Sequence, residues 1–149
     1  MVKPFIIGTR NAGDYLYGGV NVLKEGGSAL DAVEAATRLV EMNPKDTSVG
    51  LAGIPNILGV QEFDATIMCG KTMDSGAVGA LQGYKHPISV ARKVLDEAPH
   101  VLLVGEGAVP ITEKQLRFSP PTQFSQDGLD FVATVTVEQQ DLANSAPHQ

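Results

Sequence analysis

Apolar residues occur along this chain in short runs broken by glycine and proline, and the spacing within each run predicts one element. Phe5 to Ile7, between Pro4 and Gly8, predicts a short buried strand that delivers Thr9, Arg10 and Asn11 to its end. A helix is predicted over Tyr15 to Lys24, closed by Gly26-Gly27, because paired glycines supply the left-handed turn that ends a helix. Ser28 can cap a second helix with its hydroxyl. Asp31 stands where a capping-box acid favours the amino end, and Leu30, Val33, Thr37 and Val40 recur at helical spacing. Pro44 pushes the residue before it out of the helical region, so Met42 or Asn43 should end that helix.

Thr66 to Cys69 and Ala77 to Leu81 read as adjacent strands of a hairpin, with Gly70 to Ser75 as the turn. A third helix follows His86, with Pro87 pre-set for the first helical position and Ile88, Ala91, Val94 and Leu95 as its apolar stripe. Val101 to Val104 is a continuous apolar run, as expected of a strand buried on both faces. Beyond Gly107 the texture changes: prolines and glutamines mark Pro110 to Gly128 as a linker, Phe131 to Val137 alternates as one further strand, and Gln139 to Gln149 reads as a frayed tail. The pattern thus divides into a mixed α+β unit over residues 1–109 and a linker, strand and tail over 110–149.

Composition narrows the functional classes. A chain of 149 residues forms one ordinary domain, able to bury about 68–70 % of its unfolded surface. With 17 acids against 11 scattered bases, a net charge of −6, no tryptophan and few aromatics, it offers nothing to a nucleic acid, which needs clustered cations and stacking surface. Cys69 is the single cysteine, which excludes an intrachain disulfide and reads as a small buried hydrophobe. The apolar run after Pro4 is far shorter than a signal peptide core or a membrane span, and with no N-x-[ST] acceptor the reading favours the cytoplasm and no membrane. His86, His100 and His148 lack ligand spacing, so no metal site is expected; Gly76 to Gly79 and Gly105 to Gly107 lack phosphate-loop spacing. Arg92, Lys93, Asp96 and Glu97 read as an ordinary solvated helix face.

The densest patterning lies in D-T-S-V-G-L-A-G-I-P-N from Asp46, F-D-A-T-I-M from Phe63 and T-M-D-S-G-A-V-G-A-L from Thr72. G-G-S-A-L-D-A-V-E precedes it from Gly26, and H-P-I-S-V-A-R-K-V-L follows from His86 with P-H-V-L-L-V-G-E-G-A from Pro99. In that order, over about residues 5 to 108, these blocks resemble the N-terminal half of the glycosylasparaginases, a family of N-terminal-nucleophile amidohydrolases. The resemblance implies a four-layer αββα sandwich, present here in part without the β-subunit half. It also implies no cofactor, and hydrolysis of the amide joining a sugar amine to an asparagine side chain. D-T-S-V-G separates this pattern from plant-type asparaginases, whose loop usually carries Asn-Ala-Gly.

Such an enzyme uses a threonine at a fresh amino terminus, because one residue then supplies both the attacking hydroxyl and the amine that takes its proton. By motif position the resemblance makes Thr9 and Ser48 supporting residues of the pocket and Arg10 a substrate-binding residue. The family has a tryptophan at the position of Arg10, so guanidinium charge replaces a flat apolar contact. The H-D-T-I-G segment that carries the nucleophile has no match. Leu129 to Ala133 can be laid beside it with Phe131 in the threonine's position. The chain is therefore expected to be an α-part whose partner is a β subunit bearing the threonine, in an (αβ)₂ assembly. The alternative is a catalytically inactive, truncated relative acting as a binding or structural protein. Alone, it is expected to aggregate or to stay molten, since half a sandwich cannot cover its own sheet.

Overall fold

The computed structural model describes residues 4–109 and Ile111; apart from Ile111, the predicted linker, the strand at Phe131 to Val137 and the tail lie outside the described residues. The elements run α1 (Leu16–Lys24), α2 (Ala29–Glu41), β1 (Phe63–Met68), β2 (Ser75–Leu81), α3 (Pro87–Glu97) and β3 (Leu102–Val104), with a 3₁₀ turn over Arg10–Tyr15 leading into α1. They form a mixed α+β unit around one three-stranded sheet in the order β1-β2-β3. β1 and β2 are antiparallel and β3 is parallel to β2, reached through α3.

Helix ends follow the local chemistry. Gly26 takes φ +85°, and the bonds from Gly27 N to the Val22 carbonyl (2.9 Å) and from Gly26 N to the Leu23 carbonyl (3.2 Å) close α1 as the paired glycines predict. At α2 the Ser28 hydroxyl accepts from Asp31 N at 3.1 Å while the Asp31 carboxylate accepts from Ser28 N at 3.1 Å, a complete capping box. The buried face of α2 is rotated from the predicted stripe: Val40 is inside as predicted, but with Ala32 and Ala36, whereas Val33 is 45 % exposed. Glycines cause the rotation. A Cβ on Gly19 would lie 2.6 Å from the Ala32 carbonyl, so α1 approaches α2 along its alanines, which only small residues allow.

The core lies between the sheet and α3, with Ile67, Val78 and Leu81 from the hairpin packed against Ile88, Val90, Ala91 and Val94. β2 keeps Leu81 inside by a bulge. Phe63 pairs with Leu81 and Ala65 with Val78, so Gly79 and Ala80 together oppose Asp64. Ala80 takes φ +49°, and the Asp64 carboxylate accepts its displaced N–H at 2.9 Å.

Four further expectations are corrected. Phe5 to Ile7 form no strand; among the described residues nothing pairs with their backbone. Only Ile6 is drawn inward, its Cδ1 lying 2.5 Å from where a Cβ on Gly19 would stand. β3 is covered on one side alone: Leu102 and Val104 are 54 % and 56 % exposed on the face turned away from α3. Arg92 is no solvated residue but a cross-tie, its Nη1 2.9 Å from Asp31 and 3.5 Å from Glu34 on α2 and its Nε 2.7 Å from Asp96. Lys93 Nζ is buried without a hydrogen-bond partner among the described residues. Cys69 is partly exposed in the hairpin turn rather than buried.

Asp31 titrates below its ordinary 3.8, because the Ser28 hydroxyl, then Arg92, favour the charged form. Its carboxylate therefore supports the α2–α3 tie above that value and loses it as pH falls through the lowered one. The helix–sheet contact is tighter still at Gly76, where a Cβ would lie 2.2 Å from the Ala91 carbonyl oxygen and 2.3 Å from Leu95 N. Gly76→Ala should destabilise the fold by about 3 kcal/mol, the upper range for overpacking, in denaturant unfolding of the protein in its native assembly. A loss under about 0.5 kcal/mol would contradict this packing.

Candidate active site

Thr9 and Ser48 are far apart in sequence, and the fold joins them through two residues between. Thr9 opens the 3₁₀ turn in an extended conformation (φ −66°, ψ 167°), and its backbone carbonyl accepts from Ala12 N at 3.0 Å. Its hydroxyl is not used in capping and donates to Asn11 Oδ1 at 2.5 Å. The Asn11 amide then donates to Asp46 Oδ2 at 3.0 Å and to Ser48 Oγ at 3.2 Å. Asp46 closes the chain: its Oδ1 accepts from Ser48 N at 2.8 Å and from the Ser48 hydroxyl at 2.5 Å, the two-residue side-chain turn that an Asp-x-Ser spacing favours.

The loop holding Ser48 is pinned from behind. Gly50 takes φ +62° directly against Glu41; a Cβ there would lie 2.1 Å from the Glu41 carbonyl oxygen. The Gln61 side-chain amide donates to the carbonyls of Gly50, Leu51 and Gly53 at 3.2, 3.0 and 3.2 Å. Glu41 itself is 3 % exposed and accepts from Ile88 N at 2.9 Å, with His86 Nδ1 3.3 Å away, so the end of α2, the Ser48 loop and the start of α3 meet at one carboxylate.

Between these parts lies an open cleft of about 600 Å³. Thr9, Asn11 and Ser48 line it together with Val33 and Ala36 of α2 and Thr66 of β1. Val33, turned out of the helix core, is thus one wall of the cleft. Arg10 is exposed on the 3₁₀ turn and is not among the lining residues. The roles of Asn11, Asp46 and Glu41 were not assigned from sequence. The Asp-x-Ser spacing signals the first contact of Asp46, but its link to Asn11 spans 35 positions and has no local signature.

Asp46 titrates below its ordinary 3.8, chiefly because the Ser48 hydroxyl donates to it, then through Ser48 N and Asn11. Cys69, outside the cleft, has its thiol lowered mainly by the Thr72 hydroxyl, with backbone donors of Thr72 and Lys71 adding to it. Among the described residues no group of three histidine, cysteine or acidic side chains could hold a metal ion. No helix among them is long and apolar enough to cross a membrane.

Residues 10–138 match the sequence pattern of the family described as asparaginase, which covers the Asn11, Asp46 and Ser48 network and most of the chain. The chain belongs to the asparaginase family. Over 103 residues, 61 % of this chain, it is 48 % identical to a "Plant-type L-asparaginase" of Thermococcus kodakarensis. Over 116 residues, 76 % of this chain, it is 44 % identical to an "N(4)-(Beta-N-acetylglucosaminyl)-L-asparaginase" of Elizabethkingia miricola. Over 90 residues, 60 % of this chain, it is 46 % identical to an "Isoaspartyl peptidase/L-asparaginase" of Bos taurus. The matches cover 33 %, 33 % and 29 % of those relatives, so the chain spans about a third of their length. Relatives with three different names thus match at similar identity, 44–48 %.

Because Ser48 is the largest influence on the lowered Asp46 carboxyl, Ser48→Ala should move its titration up toward 3.8 in a carbon-13 NMR pH series. The sign follows from the depressed value: the network is fully held above 3.8 and lost only as pH falls through the lowered value. An unmoved Asp46 midpoint in Ser48→Ala would contradict the hydrogen-bond pattern.

Proposed function

We propose that this chain is the α-part of an asparaginase-like amidohydrolase that cleaves the side-chain amide of asparagine or glycosylated asparagine. The nucleophilic threonine is supplied by a β part beyond the third of the family that this chain spans. The carrying observation is that Thr9 and Ser48 line one cleft and are joined through Asn11 and Asp46. A cleft of this kind, with apolar walls and a few convergent polar groups, suits a small polar substrate held by its donors and acceptors. No cofactor is needed, because the hydroxyl and amine of a terminal threonine carry out both attack and proton transfer.

Packing favours the same reading. Thr66, Met68, Leu102 and Val104 lie exposed on the sheet face opposite α3, and the β part would supply the second sheet of an αββα sandwich across that face. Two such αβ units would associate as an (αβ)₂ assembly. In this reading residues 1–109 are the α-part and residues 110–149 the linker, strand and tail expected from the sequence. Thr9 and Ser48 support the nucleophile, and Arg10, between the lining residues Thr9 and Asn11 in the chain, contacts substrate.

A second reading, an inactive relative that keeps the scaffold as a binding protein, is favoured by Phe131 in the position of the nucleophilic threonine. Hydrolysis separates the two. The protein isolated in its native assembly should release aspartate from glycosylasparagine or ammonia from asparagine, and Ser48→Ala should lower kcat about 10²-fold. No turnover of either substrate by an intact assembly that contains a threonine-initiated chain would remove the amidohydrolase reading.

A further inference from the structure

The chain of hydrogen bonds behind the cleft has a fixed direction, set by the one member that can only accept. An ionised carboxylate has no proton to give. Ser48 must therefore spend its single hydroxyl hydrogen on Asp46 Oδ1, and Asn11 must turn its NH₂, not its oxygen, toward Asp46 Oδ2. With its nitrogen so committed, Asn11 presents Oδ1 to Thr9, and Thr9 must donate its own hydroxyl hydrogen there. Asn11 also gives an N–H to Ser48 Oγ at 3.2 Å, which uses one of that oxygen's lone pairs. After these bonds Thr9 Oγ1 keeps two lone pairs and Ser48 Oγ one, and neither retains a hydrogen to offer. Both residues line the cleft, while Asp46 is not among its lining residues.

We propose that Asn11 and Asp46 are positioning residues that convert the Thr9 and Ser48 hydroxyls into pure acceptors, so that this wall of the cleft binds a nitrogen donor, amide or ammonium, and disfavours a carboxylate. Neither positioning residue needs to touch the ligand. Asp46 acts through Ser48 and Asn11, and Asn11 passes the same polarity on to Thr9. The wall would sort an amide from the acid of the same shape, which is the distinction an amidohydrolase must make between substrate and product. The inference deepens the amidohydrolase reading and rests on it only for that use; the binding preference stands apart from catalysis.

The test uses the full chain in its native assembly, labelled with nitrogen-15, and two probes of equal size, acetamide and acetate. Acetamide should shift the backbone resonances of Thr9 and Ser48 at lower concentration than acetate. Asp46→Asn replaces the obligate acceptor by a group that both gives and accepts, freeing Ser48 and Asn11 to reverse. The acetamide preference should then fall roughly threefold to tenfold, as for the loss of one oriented hydrogen bond. Asn11→Leu keeps the Asp46–Ser48 bond but releases Thr9 and one lone pair of Ser48, and should shift the preference by a similar factor, chiefly at Thr9. Where Asp46→Asn fails to fold, the second variant carries the test. Equal response to acetate and acetamide in the unsubstituted protein, no response to acetamide, or an unchanged preference in a folded variant would overturn the proposal. Hydrolysis of glycosylasparagine is measured alongside. Absence of turnover with the preference intact would remove the catalytic reading alone, and turnover without the preference would remove this one alone.

Discussion

The buried carboxylate of Glu41 is the contact on which the site depends. A carboxyl group this far from water is tolerated only where hydrogen bonds answer it. Here the first free N–H of α3 donates to it at 2.9 Å, and the His86 Nδ1 lies 3.3 Å away. The same residue's backbone receives Gly50 at a distance no side chain would permit. One residue thus joins the end of α2, the start of α3 and the loop that carries Asp46 and Ser48.

On that frame the polar network is short-range and directional, whereas the apolar packing is broad. The core between hairpin and α3 is closed by Leu81, Ala91 and Val94, each inaccessible to solvent, and Gly76 lets the helix backbone rest on the strand. The opposite sheet face and the cleft stay open. In the proposed reading the open side is the functional one, and Thr9, Asn11 and Ser48 line its cleft.

Local chemistry explains what could be read in advance. Ser28, Gly26-Gly27 and Pro87 fix helix ends through bonds made within a few residues, and these predictions match the structure. The hairpin was legible for the same reason, although β1 begins at Phe63, three residues before its apolar run. Long-range effects were not legible. The face of α2 was set by glycines of α1, the exposure of β3 by what packs on one side only, and the Phe5 to Ile7 strand by the lack of a pairing neighbour among the described residues. The site divides along the same line. The blocks around Thr9 and Ser48 singled out these two residues, and both line the cleft. Asn11 and Asp46, which connect them, were ordinary turn residues until the fold brought positions 11, 46 and 48 together.

The most direct test of the account is the amino-terminal sequence and intact mass of every chain in the assembly isolated from the source cell under nondenaturing conditions. The account predicts a chain that begins with threonine, bound to the one that carries Thr9 and Ser48. An assembly in which no chain begins with threonine would contradict it.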